Sequence, residues 1–199
     1  TQIAALSTTQ VSGLTTTQLA GLSVTNLSGL DQTQVAELTT TQVKALTTTQ
    51  IGGLTATDVA EFTNTQLTAL NTSQVVAFTQ TNIASLTDTQ VAALTGPQLA
   101  KLSNTAVKAL DTTQLSSLNS TQVQSFTTSQ IAALDETDLD EFTVTQLGAL
   151  NATQVRAITT TVIGAISSAA VAAFDVTQLA QLQVTQLDQL STTNLSALS

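Results

Sequence analysis

Residues 39–54 read TTTQVKAL and TTTQIGGL, two successive copies of one eight-residue pattern. The same frame extends over the whole chain: a partial repeat at residues 1–6, 24 complete octapeptides at residues 7–198, and the first residue of another at position 199. The consensus is [T/S/D/N]-x-T-Q-[V/L/I]-x-[A/G/S]-[L/F], and we number its positions one to eight. Because a fixed period indicates a repeat architecture, we treat residues 1–199 as one continuous array and expect it to be part of a longer one.

The octapeptide period argues against one continuous helix or strand. An α-helix advances about 100° per residue, so its apolar stripe would drift by about 80° in every eight residues. In a continuous strand, the apolar positions five and eight would point to opposite faces. The pattern therefore predicts one short helix in each octapeptide, with a chain reversal at every junction.

Capping residues and charge order support the helical interpretation. Position one is Thr, Ser, Asp or Asn in 24 of 25 repeats and position four is Gln in 17 of 25, which together form a capping box. All four cations lie at positions six or seven, near the negative end of the helix dipole. The single proline, Pro97, falls in a first turn, where its missing N–H does no harm.

The repeats also alternate between two classes. Position five is Leu or Ile in 12 of 13 even-numbered repeats and Val in 9 of 12 odd-numbered ones. All five phenylalanines occupy position eight of odd repeats, at separations that are multiples of sixteen. We therefore expect an all-α solenoid with one helix per 8-residue repeat and two helices (16 residues) per coil, in which smaller Val compensates for larger Phe.

The composition limits the possible functions. The chain has no His or Cys, so we expect no catalytic residues, no metal site, no cofactor and no small-molecule substrate, and we predict that it is not an enzyme. A formal charge of −9, with four Lys and Arg against thirteen Asp and Glu, opposes nucleic-acid binding. No apolar run has the roughly 18 residues of a spanning helix, so we expect no membrane insertion. The acidic residues 135–141 are interpreted as solvated helix starts.

Self-association is the interaction that the sequence favours. Both ends of the array carry ordinary core residues without a polar capping repeat, which predicts end-to-end stacking. Residues 158–174 replace two successive glutamines with apolar side chains, which predicts an apolar surface and a lateral contact. The candidate self-assembly residues are Ile3, Leu6, Val162, Ala170, Leu195 and Leu198.

Residues 38–46 (LTTTQVKAL) and 46–54 (LTTTQIGGL) resemble the tandem LTTxQ-type octapeptide arrays of large bacterial surface or secreted proteins. The resemblance covers the whole chain and implies a bacterial, extracellular or cell-surface structural protein. We expect a rigid solenoid that serves as a spacer, a stalk or the subunit of an extracellular filament. The alternative is an adhesive or ice-binding module that uses a Thr/Gln-rich face.

Overall fold

The computed structural model describes residues 2–198, which are helical and contain no strand. A 3-10 helix at Gln2–Ala5 precedes 24 short α-helices, one in each octapeptide, as the sequence predicts. The helices are α1 Thr8–Ser12, α2 Thr16–Ala20, α3 Val24–Leu27, α4 Gln32–Ala36, α5 Thr40–Ala45, α6 Thr48–Gly53, α7 Ala56–Ala60, α8 Asn64–Ala69, α9 Thr72–Val76, α10 Gln80–Ala84, α11 Asp88–Ala93, α12 Gly96–Leu99, α13 Asn104–Val107, α14 Thr112–Ser116, α15 Ser120–Gln124, α16 Thr128–Ala133, α17 Glu136–Asp140, α18 Val144–Ala149, α19 Ala152–Ala157, α20 Thr160–Ala165, α21 Ser168–Ala172, α22 Val176–Leu179, α23 Val184–Leu187 and α24 Thr192–Ser196.

Most of the helices begin with the predicted capping box, which is incomplete in α3, α13, α20, α21 and α24, and extended corners join successive helices. In α5, the Thr39 hydroxyl accepts the backbone N–H of Gln42 at 3.2 Å, and the Gln42 side-chain oxygen accepts the backbone N–H of Thr39 at 2.7 Å. After α5, Leu46 (φ −59°, ψ 135°) and Thr47 (φ −75°, ψ 157°) are extended and turn the chain into α6. No described residue has a positive φ, so these corners need no glycine.

The chain divides into two units, the first ending at Ala109 and the second beginning at Leu110. Within each unit, the helices pack on the helix three places before or three places after them along the chain. In the first unit α5 lies between α2 and α8, and in the second α18 lies between α15 and α21. We call each such series of helices a stack.

A coil therefore contains three helices and 24 residues. The prediction of two helices (16 residues) per coil is wrong, although the solenoid and the single helix per repeat are confirmed. Three helices enclose an interior to which each helix contributes its apolar face. In the second unit, Phe126 and Phe142, from helices two places apart, meet there edge to face with ring centroids 6.5 Å apart.

The buried side chains of a coil point in two directions along the stack. In the first coil, Val11 and Leu19 at position five are fully buried, whereas Leu14 and Leu22 at position eight are only half-buried. In the last coil the order reverses: Leu187 at position five is 41% exposed and Leu190 at position eight only 8%. Position five is therefore covered by the following coil, and position eight by the preceding one.

With three helices per coil, the odd and even repeats alternate along each stack instead of facing each other across a coil. Because stacked helices are three repeats apart, each stack alternates between the two classes, as with Val43 of α5, Leu67 of α8 and Val91 of α11. The smaller and larger side chains thus complement one another between coils rather than across one coil.

Small residues at position seven allow the close approach of successive coils. A Cβ atom added to Gly53 on α6 would lie 2.8 and 2.9 Å from the two methyl groups of Val24 on α3. At the same position on α10, the Ser85 hydroxyl donates to the backbone oxygen of Ala56 on α7 at 2.9 Å. Position seven of one coil therefore rests on position two of the coil before it.

We predict that Gly53→Ala destabilises the first unit by about 1–3 kcal/mol, the usual cost of overpacking, because the valine it meets is stiff. Gly52→Ala is the matched control, since its new Cβ would come no closer than 3.5 Å, to the backbone oxygen of Ala77. That variant should gain up to about 1 kcal/mol from helix propensity. Urea titration measures both, and a Gly53→Ala variant as stable as Gly52→Ala would contradict the packing described here.

Candidate functional site

Glutamine fills position four in 17 of 25 repeats and, apart from Gln10 and Gln18, the described glutamine side chains at this position are buried between coils. Gln42 is 4% exposed, and its oxygen accepts the N–H of Thr39 within its own capping box. Its side-chain nitrogen, Nε2, donates to the backbone oxygens of Ser12 at 3.0 Å and Leu14 at 2.7 Å. Those carbonyls belong to the last turn of α1, in the preceding coil. One carboxamide thus caps its own helix and also binds the end of another.

The same arrangement recurs through both units. In the first unit, Gln74 donates to Val43 and Leu46 at 2.9 and 2.7 Å. In the second unit, Gln146 donates to Leu115 at 2.7 Å and Leu118 at 2.6 Å. Each acceptor lies four repeats before its glutamine, on the helix that precedes the stacked partner. We call this contact the glutamine clamp, and it satisfies carbonyls that a helix end otherwise leaves free.

The sequence predicts the capping half of this contact but not the clamp. The side-chain nitrogens bind backbone carbonyls of the preceding coil. Position four is Gln in 17 of 25 repeats and Glu in none, although a capping box accepts Glu as readily as Gln. This preference is the feature of the sequence that indicates a hydrogen bond donated by the side-chain nitrogen. The shorter Asn82 caps its helix too, but of these carbonyls it contacts that of Leu54, at 3.2 Å.

Val162 and Ala170 stand in the buried glutamine row rather than on the surface. They are 5% and 4% exposed, so the prediction of an apolar surface patch at these two residues is wrong. Position four faces the preceding coil, and an apolar substitute there extends the core. Neither side chain is available for a lateral contact between chains.

An acidic residue of the preceding coil replaces the missing clamp at Ala170. Without a glutamine in its repeat, the N-cap residue Ser167 lacks the usual acceptor for its backbone N–H. Asp140 supplies one: its carboxylate accepts that N–H at 3.1 Å and the Ser167 hydroxyl at 2.7 Å. The second unit therefore keeps a hydrogen bond between coils here, donated by the later coil as in the clamp but accepted by a carboxylate instead of a backbone carbonyl.

The other candidate assembly residues lie on terminal coils. Ile3 and Leu6 are half-buried in the first coil of the first unit. In the last coil of the second unit, Leu195 is 50% exposed and Leu198 is half-buried.

Glu61 on the first unit has an unusual carboxyl group. Its oxygen Oε2 is buried and has no hydrogen-bond partner among the described residues. Burial raises the pKa of Glu61, and repulsion from Asp58 and then Asp31 raises it further. Its charged form therefore opposes folding.

Three clefts open on the described surface. Each of them contains a single ionisable side chain, namely Lys44, Asp140 and Asp175. Within residues 2–198, no group of three or more acidic side chains could hold a metal ion, and no helix has the length and apolarity to cross a bilayer. The glutamine clamp is therefore the site whose role the geometry defines.

No known protein-family model matches the chain, and no curated protein matches it in sequence.

We predict that Gln74→Glu destabilises the first unit by about 3–5 kcal/mol, the usual cost of an uncompensated buried charge. Glutamate keeps the acceptor of the capping box but turns a carboxylate oxygen toward the carbonyls of Val43 and Leu46. Urea titration in dilute solution gives the free energy of unfolding.

The matched control is Gln10→Glu, in the first coil. Gln10 is exposed and accepts the N–H of Ser7 at 2.8 Å in the same capping box. This substitution should change stability by less than about 0.5 kcal/mol, as for other surface changes. Equal losses for the two variants would show that capping, and not the clamp, explains the glutamine.

We also predict that Glu61→Gln raises the melting temperature at pH 7. Since the folded pKa of Glu61 lies above its unfolded value, its contribution to stability is complete below the unfolded pKa and is lost as pH rises through the folded one. The gain should therefore shrink as pH falls toward about 4. Glu37→Gln, at the same repeat position but exposed, is the control and should shift the melting temperature little. A gain independent of pH would contradict this account.

Proposed function

We propose that this chain is a structural repeat protein, a solenoid acting as a spacer, a stalk or the subunit of an extracellular filament at a bacterial surface. The observation that carries the proposal is the glutamine clamp. The glutamine that fills position four in 17 of 25 repeats is, from Gln34 onward, buried and hydrogen bonded between coils, so it serves cohesion rather than chemistry. The resemblance to LTTxQ-type arrays supports the bacterial and extracellular part.

Cohesion between coils is what a spacer needs. To separate α5 from the preceding coil, a load must break the two short bonds donated by Gln42 and expose the buried Leu19 of α2 and Leu46. The same contacts recur at the next coil through Gln74. Because each coil is held by its neighbours, resistance is distributed along a unit instead of residing in one domain.

A Thr-rich binding face is the second candidate function. On the stack formed by α5, α8 and α11, the position-three residues Thr41, Thr65 and Thr89 are all exposed and repeat once per coil. Such a row could contact ice or a glycan surface. Asp88 lies next to Thr89 and its carboxylate accepts the Thr89 N–H at 2.7 Å, which places a charge within the row. The spacer therefore remains our first proposal.

Single-molecule stretching of the chain between terminal handles tests the spacer. We expect stepwise unfolding, with a contour gain of about 80 Å for each 24-residue coil at roughly 3.3 Å per residue. The Gln74→Glu variant should lose its first steps at lower force, whereas Gln10→Glu should behave as the parent. Extension without steps, as for an unfolded chain, would reject the spacer. Thermal hysteresis of ice growth in the same preparation would favour the binding face.

A further inference from the structure

Position seven of one coil lies on position two of the coil before it, 29 residues earlier in the chain, and the chemistry of this contact varies. In the first unit, the Ser85 hydroxyl donates to the backbone oxygen of Ala56 at 2.9 Å. In the second unit the direction is reversed, since the carboxylate of Glu141 accepts the hydroxyl of Thr112 at 2.8 Å. A position-seven side chain therefore finds either a backbone acceptor or a side-chain donor at position two.

Glu61 occupies position seven of its repeat, and the same register places it on position two of α4, which is Gln32. The Glu61 oxygen Oε2 is buried and has no hydrogen-bond partner within residues 2–198, so the exposed side chain of Gln32 does not donate to it. The group that the register then offers Glu61 is the backbone oxygen of Gln32. A carboxylate cannot bond to that oxygen, whereas a protonated carboxyl group can donate to it.

The charged groups around Glu61 are all acids. Burial raises the pKa of Glu61, and repulsion from Asp58 on α7 and then Asp31 at the start of α4 raises it further. Glu37, at the end of α4, is exposed. The repeats of α6, α8 and α10 contain no ionisable residue, and those of α4 and α7 contain no Lys or Arg. No cation on these helices therefore stabilises the charged form of Glu61.

The second unit contains the same three acids at the same repeat positions. They are Asp111, Asp138 and Glu141, which correspond to Asp31, Asp58 and Glu61 of the first unit. Asp58 and Asp138 each accept the backbone N–H of their own N-cap residue at 2.8 Å. Position two differs between the units, because Gln32 stands where the second unit has the donor Thr112.

We propose that the contact between α4 and α7 is a pH-dependent switch, in which Glu61 takes up a proton and donates it to the backbone oxygen of Gln32. At neutral pH, the charged carboxylate has no donor at this contact. On acidification, a proton from solvent neutralises the carboxyl group and adds a hydrogen bond between coils. The glutamine clamp supplies none in this repeat, because Asp58 stands at position four. The switch is a property of the fold and holds whether or not the chain acts as a spacer.

The first test is an NMR titration of the side-chain carboxyl groups. The chain has four glutamates, so carbon-13 labelling of glutamate carboxyls gives four signals: Glu37, Glu61, Glu136 and Glu141. Glutamine substitutions assign them. We expect the Glu61 signal to titrate at the highest pH of the four. A Glu61 signal that titrates together with the exposed Glu37 would overturn the switch.

The second test detects the hydrogen bond itself. Gln32–Thr33 and Gln80–Thr81 are the glutamine–threonine pairs of the sequence, so labelling glutamine carbonyls and threonine nitrogens isolates two backbone signals. The Gln32 carbonyl should shift with the midpoint of Glu61, and Glu61→Gln should abolish that step. The hydrogen bond from the Thr33 side chain, with those from the backbone, lowers the pKa of Asp31, so its titration falls at lower pH.

Gln80 is the internal control, because the position-seven residue of the coil above it is Ala109, which cannot titrate. Its carbonyl signal should not follow Glu61. A Gln32 carbonyl that also ignores the titration of Glu61 would overturn the switch. Sharing of the proton between Glu61 and Asp58 would produce that result.

Exchanging the position-two residues of the two units is the third test. Gln32→Thr supplies the hydroxyl that Thr112 gives to Glu141, so Glu61 should titrate at lower pH and the free energy of unfolding should depend less on pH. Thr112→Gln removes the donor from Glu141 and should move the titration of that carboxyl group to higher pH. Both positions are exposed, and circular dichroism checks that the variants fold as the parent does. Titrations that do not respond to either exchange would overturn the switch.

Discussion

The fold depends on one hydrogen-bonded group, the carboxamide at position four. Its oxygen and nitrogen have separate tasks: the oxygen caps the start of its own helix, and the nitrogen binds the end of a helix in the preceding coil, as in Gln42. Both ends of a short helix leave backbone groups without partners, and in a buried setting these groups are costly. A single side chain type therefore removes two penalties wherever the clamp forms, and in doing so connects successive coils.

Helices of four to six residues cannot form alone, because nucleation of a first turn costs more than so few bonds return. Here the stabilising contacts come from neighbouring coils. Position five of each coil is covered by the coil that follows, and position eight by the coil before. Val43 and Leu46 illustrate the two directions on one helix, at 0% and 3% exposure. Such an array is stable as a series of contacts between adjacent coils rather than as independent elements.

Two repeats that lack the glutamine show what can take its place. Where Ala170 removes the glutamine, Asp140 accepts the N-cap N–H of Ser167 from the opposite side of the joint. Where Val162 removes it, the apolar side chain joins the core. The contact between successive coils therefore tolerates either a different hydrogen-bonding partner or an additional buried apolar side chain in place of the glutamine. At Glu61, by contrast, a buried carboxyl oxygen has no hydrogen-bond partner within residues 2–198, and burial raises the pKa of that carboxyl group.

The sequence by itself determined the period, the helix in each repeat, the capping box and the apolar face, because all of these depend on contacts within eight residues. It did not determine the number of helices in a coil, because an octapeptide with positions five and eight buried fits two or three equally well. That number follows from the turn at extended corners such as Leu46 and Thr47 and from the volume of the enclosed side chains. The phenylalanine spacing suggested two, yet Phe126 and Phe142 meet from different stacks. The clamp and the burial of Val162 likewise involve residues about 30 positions apart, which only the tertiary structure brings together.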